Sequence, residues 1–162
     1  MHELDALSNG QLFHFRDWPN PDIPLVAAGV YTVWENDRFV YAGMAGRSLT
    51  EEAIVNGRAG KHMKGLRQRL ASHAAGRRSG DQFCVYVADR FVLPTLSPNE
   101  IAQIAAGELS FDARVRRCIH ERLSYRWVEV PDGIAAYRLE TQICRGALAA
   151  GLPLLNPRGS SV

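Results

Sequence analysis

Two tyrosines each share a tripeptide with a glycine, Gly29-Val30-Tyr31 and Tyr41-Ala42-Gly43. Downstream, Leu66-Arg67-Gln68-Arg69-Leu70-Ala71-Ser72-His73 carries two arginines and a histidine, and Tyr137-Arg138-Leu139-Glu140 adds a carboxylate. Together these types suit hydrolysis of a phosphodiester, which needs an activated water, a cation facing the developing charge and help for the leaving oxygen. One carboxylate is enough to hold a Mg²⁺ that keeps most of its own waters. Arg69 and His73 are four residues apart, one turn along the same helix face. Arg67 faces another side, so the two arginines cannot play the same part.

The elements that must position these groups can be read coarsely. Residues 28–34 and 39–42 are rich in β-branched and aromatic types, and Glu35-Asn36-Asp37-Arg38 between them has turn chemistry. The prediction is a hairpin with strands at 30–34 and 39–42, one tyrosine on each, with both glycines permitting close backbone approach. A helix is predicted over 61–75, with Leu66 and Leu70 on its apolar stripe. Residues 83–92 alternate as a strand, 98–107 and 111–123 read as helices, and 125–130 as another strand. Asp132-Gly133 then breaks the chain before the helix carrying Glu140. Residues 1–28 read as a Pro-rich lead-in of turns, marked by Trp18-Pro19-Asn20-Pro21.

In this order the elements resemble the GIY-YIG nuclease family, named for two such tripeptides on its first two strands. The resemblance implies a small α+β domain, a central antiparallel-type sheet opened by the hairpin and flanked by helices. It implies a nuclease domain over residues 28–157, a lead-in at 1–27, an insertion at about 45–60 and a tail at 158–162. Leu66-Arg67-Gln68-Arg69-Leu70 matches the family's Leu-x-x-Arg-Leu pattern, which selects Arg69 to bind the scissile phosphate. The family has histidine or tyrosine at the position of His73, which would take a proton from Tyr31 while Tyr31 takes one from water. A free tyrosine has a pKa of about 10, so a metal or arginine would have to lower it. Tyr41 would contact the water or the phosphate. Glu140 would hold Mg²⁺ (or Mn²⁺) in a one-metal mechanism. Asn156, in Leu154-Leu155-Asn156-Pro157, would order the backbone of the site. The sequence departs from the family at Val30 and Ala42, where isoleucines are usual, and at Met44, often lysine. It also places Glu140 and Asn156 about one helical turn further apart.

The distribution of charge agrees with an anionic substrate. The whole chain carries only +2, yet Arg47, Arg58, Lys61, Lys64, Arg67, Arg69, Arg77 and Arg78 face only Glu51 and Glu52 between Met44 and Gly80. That segment is +6, which leaves −4 for the rest. Arg47, Lys61, Lys64, Arg67, Arg77 and Arg78 are the expected contacts to a nucleic-acid backbone. DNA is the expected partner, with RNA as a second admissible substrate. One active site cuts one strand, so double-strand cutting calls for a homodimer or two successive visits. The alternative is a binding module of the same fold without catalysis.

Length and composition set the outer bounds. A chain of 162 residues with 46% hydrophobic and 22% charged residues is one ordinary folded domain. No run is apolar enough to span a membrane and no signal peptide opens the chain, so a cytoplasmic protein is expected. Three widely spaced cysteines argue against a disulfide framework. A zinc site from Cys84, Cys118, His120 and Cys144 lacks any Cys-x-x-Cys spacing and is set aside.

Overall fold

The hairpin predicted from residue types is the centre of the molecule. In the computed structural model, which describes residues 2–158, β2 (Val26–Glu35) and β3 (Arg38–Ala45) pair antiparallel. Asn36 turns the chain between them at φ 53°, a left-handed conformation that asparagine tolerates. Tyr31 lies opposite Gly43 and Val33 opposite Tyr41, so the alternation of the pleat puts both tyrosines on one face. A bulge between Val33 and Trp34 then shifts the register. On the other flank of β2 runs β5 (Ser124–Val130), antiparallel, with β1 (Phe13–His14) beyond it. β4 (Lys64–Gly65) adds two residues in parallel to the start of β2. The sheet order is β1-β5-β2-β3, and the fold is α+β.

Helices cover both faces. Over the face bearing Tyr31 and Val33 lie α3 (Leu66–Ala75), α4 (Gln82–Val87) and α6 (Phe111–Arg122), contributing Leu70, Phe83 and Ile119 to one core. Val30, Trp34 and Phe39 on the opposite face pack against α1 (His2–Asn9), α2 (Glu51–Gly57) and α7 (Gly133–Cys144) through Leu7, Ile54 and Ile143. α5 (Pro98–Ala105) has no buried residue and links the end of the α4 region to α6. No helix among the described residues is long and apolar enough to cross a membrane.

Four local expectations change. Residues 83–92 are not a strand: α4 is capped by Asp81, whose carboxylate accepts from the Cys84 amide, and runs on into a wider π-helical turn, Ala88–Val92. Their alternation suggests a strand, yet Phe83, Cys84, Val87, Ala88, Phe91 and Val92 are the buried ones, which is helical spacing. The lead-in is not turns alone. It carries α1, β1 and the short 3-10 turn Phe15–Asp17, and Thr32 Oγ1 donates to Leu7 O at 2.8 Å. The segment at 45–60 folds into α2, started by Thr50 accepting from Ala53 N. α3 begins at Leu66 rather than near 61, because Gly65 at φ 86° crosses so close to Ala27 O that a Cβ would stand 1.9 Å away. Residues 159–162 of the expected tail lie outside the described residues.

Candidate active site

The two tripeptide glycines have steric tasks that fix where the chemistry sits. A Cβ on Gly29 would lie 2.2 Å from Val128 O and 2.3 Å from Leu66 Cδ1, so the missing side chain lets α3 settle onto the sheet. A Cβ on Gly43 would lie 2.2 Å from the hydroxyl oxygen of Tyr31, directly across the strand pair. Tyr31 Oη occupies the space a side chain would otherwise fill.

α3, brought down by this contact, turns His73 toward the same point. Tyr31 Oη and His73 Nε2 are 2.7 Å apart, and His73 Nδ1 lies 2.7 Å from Asp81 Oδ2. All three residues are buried. Asp81 also accepts from Ser72 Oγ at 2.7 Å on the same oxygen, and from the Cys84 amide at 3.1 Å on the other. Burial would raise the Asp81 pKa, but the His73, Ser72 and Cys84 hydrogen bonds outweigh it and hold the carboxyl at about 2. Burial lowers the His73 pKa against the pull of Asp81, which favours the neutral imidazole. Burial, reinforced by Tyr41, raises Tyr31 well above the usual tyrosine range while Arg69 pulls the other way. The lowered tyrosine pKa that a free tyrosinate base would require is therefore not what this site produces. Burial and Glu140 push Tyr41 upward as well.

These groups line one side of a cavity of about 210 Å³ whose other lining includes Tyr41, Arg69, Phe83 and Glu140. Glu140 reaches it from α7, on the opposite layer from α3. Burial raises its pKa and Arg47 opposes the rise. Among the described residues its carboxylate has no hydrogen bond or ion pair, and neither does the exposed guanidinium of Arg69. Asn156 stands apart from the cavity: its Oδ1 accepts from Ala42 N and its Nδ2 donates to Ala42 O, both at 2.8 Å, in the middle of the second tripeptide.

The basic residues divide into two kinds. Arg67 is engaged inside the protein, donating from Nε to Ile23 O at 2.8 Å and from Nη2 to Pro21 O at 3.0 Å. Arg78 pairs with Asp112 at 2.6 Å and lies 4.4 Å over the Phe111 ring. Arg47 has its guanidinium 3.7 Å over Tyr137, and Lys61, Lys64 and Arg77 belong to the outer surface. Arg47, Lys64 and Arg69 line a second, larger groove of about 480 Å³, with Gln68, Ser48 and Ser72 among its other walls and no acidic residue. Arg69 lines both spaces, so the groove adjoins the cavity.

His73, Asp81 and Cys84 bring ligand-type atoms within 4.8 Å of one another. Both imidazole nitrogens are already hydrogen-bonded, and burial pushes the Cys84 thiol pKa far up, away from the thiolate a metal would need. Both features count against a metal at that cluster. The three cysteines are free thiols.

Asp81 is the site residue that sequence reasoning missed. Its signal was the placement of an N-cap residue after Gly80 and ahead of an apolar helix, obscured once residues 83–92 were read as a strand. Compared with known family models, curated proteins and solved structures, the chain matches none.

Proposed function

We propose that this protein is a GIY-YIG-type endonuclease that hydrolyses phosphodiester bonds in nucleic acid, DNA before RNA, with Mg²⁺ or Mn²⁺. One observation carries the reading: Tyr31, Tyr41, Arg69, His73 and Glu140, drawn from β2, β3, α3 and α7, line a single cavity. The basic groove that shares Arg69 supplies a path for the flanking backbone.

A half-buried carboxylate with no protein partner, facing a cavity, suits a divalent cation held by one protein ligand, and Glu140 is the residue that would hold it. When bound, the cation supplies charge to polarise the phosphate and to support the leaving oxygen. Arg69 is free to grip the phosphate with its guanidinium fork. Tyr31 Oη donates its proton to the bare Nε2 of His73 as it takes one from the attacking water. The two transfers go together, because burial disfavours a standing tyrosinate. The water's proton leaves through the tyrosine hydroxyl, and Tyr31 ends as it began. Asn156 keeps β3 in place under Tyr41 and Gly43.

The test is cleavage of a labelled duplex and a labelled single strand side by side, with added Mg²⁺, with Mn²⁺ and with chelator. Cleavage that requires the cation, abolished in Glu140→Gln while DNA binding persists, is the expected result. A protein that binds DNA but cuts neither substrate under any condition is a binding module, and the nuclease reading falls.

A further inference from the structure

We propose that Asp81 is a positioning residue that fixes the tautomer of His73 and thereby keeps Nε2 open as the proton acceptor for Tyr31. Its catalytic consequence rests on the nuclease reading above; the tautomer does not.

The inference follows from counting hydrogens. A carboxylate can only accept, and Asp81 has three hydrogen-bonding neighbours: Ser72 Oγ and His73 Nδ1 at Oδ2, and the Cys84 amide at Oδ1. The amide must donate, and the Ser72 hydroxyl can reach no better acceptor than the charged oxygen 2.7 Å away. The remaining contact, also 2.7 Å, is stabilising only if Nδ1 carries the proton. A neutral imidazole holds one N–H, so Nε2 is then bare. The Tyr31 hydroxyl at 2.7 Å must donate to it, which aligns the O–H bond along the route the proton has to take. The opposite tautomer would set an N–H against the tyrosine oxygen and leave a bare nitrogen facing a buried carboxylate. Two electron-rich atoms would then be pressed together in a buried site with no hydrogen between them, which disfavours that tautomer. Asp81 therefore does for His73 what the aspartate of a serine-protease triad does for its histidine, with tyrosine in the serine's place.

Asp81 adds something that the triad comparison lacks. Its other oxygen caps α4, so one carboxylate ties the start of that helix to Ser72 and His73 of α3. Phe83, in the first turn of α4, packs its ring centroid 4.5 Å from that of His73 and 5.1 Å from that of Tyr41. The imidazole is thus held in its plane from two sides by consequences of one residue.

Asp81→Asn is the discriminating variant. Its amide oxygen can keep the cap on Cys84 N, while its NH₂ turns toward Nδ1 and Ser72, which forces the proton of His73 onto Nε2. The measurement is ¹⁵N NMR of histidine-labelled protein, the His73 signals being assigned by their absence in His73→Gln. The expected result is Nδ1–H in the wild type and Nε2–H in Asp81→Asn. Single-turnover cleavage should be slower by about 10²- to 10⁴-fold, with DNA affinity within about twofold of wild type. Ser72→Ala, which spares the His73–Asp81 contact, should keep the wild-type tautomer. Nε2–H in the wild type overturns the proposal whether or not Asp81→Asn folds, as does an unchanged tautomer in a folded Asp81→Asn. Wild-type cleavage rate in a variant whose tautomer has switched removes Asp81 from the relay. A wild type that cuts no nucleic acid at all sinks the nuclease reading instead, and the tautomer result then stands by itself.

Discussion

The candidate cavity has two walls of opposite character. On one, Tyr31, His73 and Asp81 are buried, and the hydrogen bonds among them leave no donor unplaced. On the other, Arg69 is exposed and Glu140 half-buried; they make no ion pair with each other, and none with any other described residue. Folding completes the first wall. The second keeps a cation and an anion apart, which is stable where each faces water and useful where each awaits a partner of opposite charge. Under the proposed reading, the contrast means that proton handling is preorganised, whereas charge handling depends on what enters.

The largest effect should come from breaking the buried wall. Tyr31→Phe and His73→Ala should each slow single-turnover cleavage by about 10²- to 10⁴-fold, with little change in DNA affinity. Because both act on one proton path, the double variant should be about as slow as the slower single one. Fully additive losses would separate the two residues and end the shared relay.

A smaller effect is expected at the glycine that admits the tyrosine. The methyl of Gly43→Ala cannot coexist with Tyr31 Oη where it stands, and the strand pair must yield or the ring must swing. The predicted cost is about 1–3 kcal/mol in urea unfolding. Cleavage should slow as well, because the hydroxyl leaves its line to Nε2. Unchanged stability and rate together would show that the ring can move aside freely.

The smallest effects should sort the basic residues into the two kinds described. Arg47→Ala and Lys64→Ala, on the groove, should each flatten the slope of log affinity against log salt by about 0.9 for every duplex phosphate left without its cation. Arg67→Ala and Arg78→Ala should leave that slope alone. Arg67→Ala should cost about 0.5–1.5 kcal/mol of stability for each hydrogen bond to the Ile23 and Pro21 carbonyls removed. The ion pair of Arg78 with Asp112 is exposed to water, so Arg78→Ala should cost about 0–1 kcal/mol. A flattened slope in Arg67→Ala would mean that its remaining donors reach the substrate.

How much of this is legible in the sequence depends on the range over which each signal acts. The hairpin is readable because strand residues and an Asn-Asp turn are local, and the Arg69–His73 pairing because four residues make one turn. Residues 83–92 mislead because the run alternates well enough for a strand while its apolar residues also recur at helical spacing, and burial follows the helical one. Arg67 looks like a phosphate ligand since nothing local says that carbonyls of Pro21 and Ile23 will fold back onto it. Asp81 is legible as a helix cap, but its pairing with His73 is out of reach for a related reason. Its partners are near in sequence, but their convergence depends on how α3 and α4 are packed.

One feature outside the cavity bears on assembly. The amide of Asn156 takes both backbone groups of Ala42, and the Leu154 and Leu155 amides donate to Phe39 O at 3.1 Å and Val40 O at 2.8 Å. A few residues of irregular chain, one of them using its side chain as a mimic of backbone, thus occupy the outer rim of β3. The stretch Phe39–Ala42 of that rim, already satisfied, offers no ladder for a second copy to continue. Two molecules that meet on a duplex to cut both its strands would therefore not join by extending the sheet along this stretch of β3.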